Sequence, residues 1–167
     1  ARGNPGGCEY GGDKGIFAYG YTGSYVSVSN LVSNSGVVAT DVTGVGTARS
    51  YIGACEYGVD KGIFGFGSNA GGVQSMTNLL TNVGVVGTDV TGVGTGRESA
   101  MACEYGGDKG IFGYGYVSAN SSLTNLVSNV GVIATDTTGV GTARYALAAC
   151  EYGTDKAIFG FGFTGSY

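Results

Sequence analysis

Histidine and tryptophan are absent from this chain and proline occurs once. Without histidine there is no common general base, no usual nucleophile–base triad and no ordinary zinc site. Charge is scarce too: 12% of residues are charged against 43% hydrophobic, the reverse of a disordered composition, so the chain is expected to fold. Eight cations against twelve acids give a net charge of −4, which leaves no basic footprint for nucleic acid or for an anionic membrane surface. No run approaches the roughly 18 apolar residues of a membrane span, so membrane insertion is not expected. The opening Ala1-Arg2-Gly3-Asn4, with neither Met nor an apolar signal region, reads as a processed end or an internal cut.

Glycine is abundant, at 35 residues, alongside 12 Tyr, 7 Phe and many Val and Thr. The β-branched and aromatic residues form strands, and glycine supplies the tight turns that many short strands need, so the expected class is all-β. Internal similarity dominates the pattern. Cys8-Glu9-Tyr10-Gly11-Gly12-Asp13-Lys14-Gly15-Ile16-Phe17 returns at Cys55, Cys103 and Cys150, at spacings of 47, 48 and 47. A second block, with Asn30-Leu31-Val32-Ser33-Asn34, Asp41 and Thr47-Ala48-Arg49 as landmarks, recurs around Asn78 and Asn125. Residues 1–167 therefore form a single repeat array, with units at 2–48, 49–96 and 97–143 and a partial unit at 144–167. Its partners are expected to be copies of itself or a further part of the same array.

Alternation and turn signals place four strands in the second unit, near 49–57, 62–67, 76–81 and 85–88, which is the size of one antiparallel propeller blade. Strand two carries Ile63, Gly65 and Gly67 on one face and Phe64 and Phe66 on the other. Phe17, Tyr19 and Tyr21 match the aromatic face, as do Phe112, Tyr114 and Tyr116. Such a sheet is complementary to a copy of itself, rings against glycines, so Phe64, Phe112 and Phe159 are expected to be buried between units. The alternative architecture is a β-solenoid with two coils per unit.

The order Arg, then Gly-Gly-Asp-Lys in a turn, then Ile-Phe-Gly-Tyr-Gly, then a strand ending in Asp before the loop back to Arg, resembles the kelch-type β-propeller blade, although the Trp of the fourth kelch strand has no counterpart. The repeated Thr-Asn-Leu-Val-Ser-Asn and Thr-Gly-Val-Gly-Thr-Ala-Arg phrases are similar to arrays in tail-associated proteins of marine bacteriophages and in some bacterial surface proteins. This second resemblance implies a virion or extracellular, cell-surface location.

The charges argue against catalysis. All eight cations and eleven of the twelve acids recur once per unit, Glu98 being the exception. An active site needs unlike groups converging at one point, so no enzyme, cofactor or metal is expected. The cysteines, with no CxxC pair, read as small packing residues with free thiols. Arg2, Arg49, Arg97 and Arg144, with Asp41, Asp89 and Asp136, are read as structural, bonding across each interunit loop or to backbone carbonyls. The loop between strands two and three differs most between units, at 21–28, 68–76 and 116–123. Loops released from packing are where binding residues lie, which selects Tyr25, Asn69, Gln74, Tyr116 and Asn120 as ligand-contacting candidates. The expected role is a structural or adhesive module, tail-fibre-like. The alternative is a multivalent lectin-like propeller that binds a surface glycan or protein.

Overall fold

The computed structural model describes residues 1–165 and is all-β, with no helix among them. Unit one contains β1 (Gly6–Tyr10), β2 (Lys14–Tyr21) and β3 (Tyr25–Val32). Unit two contains β4 (Gly53–Tyr57), β5 (Lys61–Gly65), a small hairpin of β6 (Ser68–Asn69) and β7 (Gly72–Val73), and β8 (Thr77–Leu80). Unit three contains β9 (Met101–Tyr105), β10 (Lys109–Tyr116) and β11 (Asn120–Val127), and the last unit contributes β12 (Ala148–Tyr152) and β13 (Lys156–Gly160). Each full unit is an antiparallel meander in chain order, with the same register: Cys8 opposes Ile16, Cys55 opposes Ile63, Cys103 opposes Ile111 and Cys150 opposes Ile158. The tight turn after each first strand takes two consecutive residues with positive φ, Gly11 and Gly12 in unit one. Val59 and Thr154 occupy that second position in units two and four at φ 74° and 72°, a conformation that β-branched residues disfavour.

The fourth strand, expected at 85–88, is reduced to isolated bridges. Val86 pairs with Leu80 and Val90 with Thr77, and the same two bridges recur in units one and three. The physical reason is a side chain that competes for the ladder: Asn78 Nδ2 donates to the Gly87 carbonyl at 3.0 Å, as Asn30 does to Ala39 and Asn125 to Ala134.

Strand two does not keep one aromatic face. Its pairing with strand three slips between Ala18 and Gly20, and again between Gly113 and Gly115. Tyr19 and Tyr114 sit at the bulge, and Phe66 and Phe161 hold the equivalent place just past β5 and β13, all four with φ of 62–64°. The positive φ turns Phe66 towards the following unit while Phe64 faces the preceding one, which corrects the expectation that both point the same way. Neighbouring units therefore meet ring against ring: Tyr19 with Phe64 at 5.6 Å, Phe66 with Phe112 at 5.1 Å and Tyr114 with Phe159 at 5.6 Å. The rings also meet glycines as expected: a Cβ on Gly65 would lie 2.8 Å from the Phe112 ring, and one on Gly113 would lie 3.0 Å from Phe159. Phe64 and Phe112 are fully buried, and Phe159 half-buried.

The hydrophobic core consequently lies between units rather than within them. One cluster joins Tyr10, Ile16 and Tyr19 of unit one to Ile52, Phe64 and Leu80 of unit two. The other joins Ile63 and Phe66 of unit two to Ala100, Phe112 and Val127 of unit three. The first strands β1, β4, β9 and β12 lie side by side in that order. One cleft of about 290 Å³ is lined by Cys8, Cys55, Cys103 and Cys150 with the glutamates next to them in sequence, and so by all four units.

Candidate binding surface

The junction of units one and two and that of units two and three are each closed by a buried polar relay. Arg49, with no exposed surface, donates through Nε to the Phe66 carbonyl at 2.9 Å, through one terminal nitrogen to the Thr47 carbonyl and through the other to Asn78 Oδ1 at 2.7 Å. Asn78 Nδ2 donates to Asp89 Oδ1 at 2.9 Å, and Asp89 accepts from the Thr47 amide and hydroxyl. The guanidinium lies 4.4 Å from the Tyr19 ring centre, so one side chain stacks on unit one while bonding unit two. Arg97 repeats the arrangement with Tyr114, Thr95, Asn125 and Asp136, stacked over Phe66 at 4.1 Å. The arginine thus bonds backbone carbonyls, as expected, but does not pair across the interunit loop. Arg49 comes to 4.0 Å from Asp89 of its own unit, and Arg97 to 3.9 Å from Asp136, because the fold returns each unit's last segment beside its first. Burial lowers the Arg97 pKa to about 10, opposed by the charge of Asp136. Burial acts to raise Asp89 and Asp136, but hydrogen bonds from threonine and asparagine outweigh it and hold both below the usual carboxylate value.

The five loop candidates lie in three hairpins and do not converge on one site. Tyr25 packs edge-on against Tyr21 at 5.2 Å and lines a shallow cleft of about 160 Å³ with Asn4, Tyr21, Ser50 and Tyr51. Asn69 and Gln74 bond each other at 3.2 Å inside the β6–β7 hairpin. Tyr116 packs on Tyr145 at 5.4 Å, and Tyr145 in turn on Phe163. Asn120 donates to the Phe163 carbonyl, bridging units three and four. Beside these hairpins, Asn4, Pro5, Tyr51, Ile52, Ser99, Met101, Tyr145 and Ala146 line a larger cleft of about 300 Å³, drawn again from all four units. Asn4, Tyr51, Ser99 and Ala146 were missed by sequence reasoning. They are equivalent positions two residues after each arginine, differ in every unit and all hold φ of 51–56°. That variability was visible, but it sits beside a framework residue rather than in a long loop.

The opposite end is charged and internally bonded. Asp13, Asp60 and Asp108 each accept from an asparagine of the same unit, Asn34, Asn82 and Asn129, at 2.8–2.9 Å, and each pairs with the adjacent lysine. In the first-strand cleft, burial and then nearby acids push the Cys8 thiol up to about 12, and burial with Cys150 does the same to Cys103, so neither is a thiolate nucleophile near neutral pH. Burial, together with repulsion from Glu104, Glu9 and Glu151, raises Glu56 to about 7. Among the described residues no group of three or more His, Cys, Asp or Glu side chains is arranged to hold a metal ion. The chain matches no protein-family model, and no curated protein aligns with it significantly.

Proposed function

We propose that the chain is a non-enzymatic, propeller-type repeat module that acts as a rigid structural or adhesive element of a virion tail-like or cell-surface assembly. The observation that carries this reading is the placement of the core. Rings, glycines and buried arginines all join one unit to the next, which suits a stiff array. The propeller form is supported by the two clefts drawn from all four units. Packed sheets lie about 10 Å apart, so four units in a straight stack would separate the first and last by about 30 Å and could not line one small cleft. Units fanned around an axis can, and this favours the propeller over the solenoid.

A second reading, a lectin-like propeller, is favoured by the cleft of Asn4, Tyr21, Tyr25, Ser50 and Tyr51, which combines ring faces with amide and hydroxyl groups as shallow sugar sites do. Immunogold labelling of virions and cell surfaces, run alongside a glycan array, tests both. Labelling with a silent array is expected of the structural module. Glycan binding that is lost in Tyr21→Ala or Tyr25→Ala would replace it with the lectin.

A further inference from the structure

The two outer faces of the array are the separated halves of its internal junction. At the junction of units two and three, Phe112 seats on Gly65, Phe66 packs on Phe112 beneath Arg97, and Cys55 lies over Gly110, where an added Cβ would come 2.7 Å from its sulfur. Two backbone bonds complete it: Gly58 N–H to the Asp108 carbonyl at 2.8 Å and Gly67 N–H to the Arg97 carbonyl at 2.9 Å. The junction of units one and two makes the same bonds, from Gly11 to Asp60 and from Gly20 to Arg49.

On the last unit the downstream half of this junction is unoccupied by the other described residues. Phe161 is 90% exposed, Ile158 52%, Cys150 is exposed, and nothing lies within 4 Å of a Cβ built on Gly160. On the first unit the upstream half is equally open. Phe17 is 48% exposed where its equivalents Phe64 and Phe112 are fully buried. Arg2 donates to the Phe17 carbonyl at 2.9 Å, where Arg49 and Arg97 bond the Phe66 and Tyr114 carbonyls and an asparagine, and it lines an open cleft with Phe17, Asn30 and Asp41.

The geometry points to head-to-tail association of two copies of this chain through the same junction that joins its units. Phe17 of one copy seats on Gly160 of the other, Phe161 slides beneath Arg2, and Cys150 covers Gly15. Gly153 N–H meets the Asp13 carbonyl and Gly162 N–H the Arg2 carbonyl. The interface is heterologous, so repetition gives a closed ring if the rotation between units closes and a filament if it does not. This rests on the internal junctions and not on the biological role proposed above.

Light scattering and sedimentation of the 167-residue chain over a concentration series test it. The expected result is a mass that rises above the monomer with concentration. Gly160→Val is the decisive variant: no described residue lies within 4 Å of a Cβ built there, so the fold is expected to be kept, as circular dichroism would check, yet the side chain occupies the seat of Phe17 and should weaken association roughly tenfold or more. Phe161→Glu should do the same, while Val130→Glu, on an exposed turn elsewhere, should not. A monomer at every concentration, or association that survives Gly160→Val and Phe161→Glu, would overturn the inference.

Discussion

The two inner units and the two end units carry the same arginine and obtain different results from it. Arg49 and Arg97 have no exposed surface and satisfy their nitrogens on carbonyls and an asparagine. Arg144 stacks on Tyr114 at 4.8 Å like its counterparts, but its buried Nε has no hydrogen-bond partner. The last unit also differs in its remainder. Asn78 and Asp89, or Asn125 and Asp136, come from the far end of the arginine's own unit, and the described residues beyond Arg144 include no equivalent pair. At the two junctions that carry the relay, the arginine is held by contacts 28–40 residues apart in sequence.

The largest effect that separates the two regions should come from the rings. Phe112→Ala removes a fully buried ring seated on Gly65 and is expected to lower stability by about 3–5 kcal/mol in urea unfolding, whereas Phe17→Ala, half exposed, should cost less than about 1 kcal/mol in the monomer. Equal losses at the two sites would erase the distinction between inner and outer faces. Arg97→Ala comes next. It leaves Asn125 and Asp136 facing an emptied site and should cost about 3 kcal/mol, against about 1 kcal/mol or less for Arg144→Ala.

The pH dependence sharpens the comparison at the first-strand cleft. Glu56 titrates near 7 in the folded chain and near 4.3 unfolded, so between these values the native state binds more protons than the unfolded state. Stability from this group is fully present below about pH 4.3, falls as pH rises, and is lost above about 7. Glu56→Gln should flatten that fall and raise stability at pH 8 by about 1 kcal/mol, after allowance for the solvent open to the cleft, as read from unfolding midpoints across pH. A slope unchanged by the substitution would assign the dependence to other groups. The smallest effect concerns the turns. Val59→Gly relieves a β-branched residue at φ 74° where units one and three carry glycine, and should raise the urea midpoint by the equivalent of about 1 kcal/mol or less.

Much of the fold was legible because the pattern is repeated. One Cys-Glu-Tyr turn and one alternating strand, copied four times, announce β-meanders in constant register, and ring-against-glycine complementarity comes from side-chain size alone. The bulge was not legible. Nothing in Gly65-Phe66-Gly67 distinguishes straight alternation from a residue at positive φ, since both place Phe66 between glycines. The surroundings of the loop candidates were not legible for a related reason. Variability marked Tyr25, Asn69, Gln74, Tyr116 and Asn120, but whether such a side chain faces solvent or bonds its own hairpin, as Asn69 and Gln74 do, depends on backbone geometry that composition does not encode.

By itself the sequence determined the repeat length, the all-β class, the glycine seats of Phe112 and Phe159 and the absence of a histidine-based reactive centre, because local strand propensity and side-chain volume act over a few residues. Only the tertiary structure decided which carboxylate stands beside each arginine. Asp41 and Asp89 are both near Arg49 in a repeating pattern, eight residues before and 40 after, and chain distance favours the first. The meander brings the end of each unit back to its start, and the hydrogen bonds of Asn78 and Thr47 then fix Asp89 there.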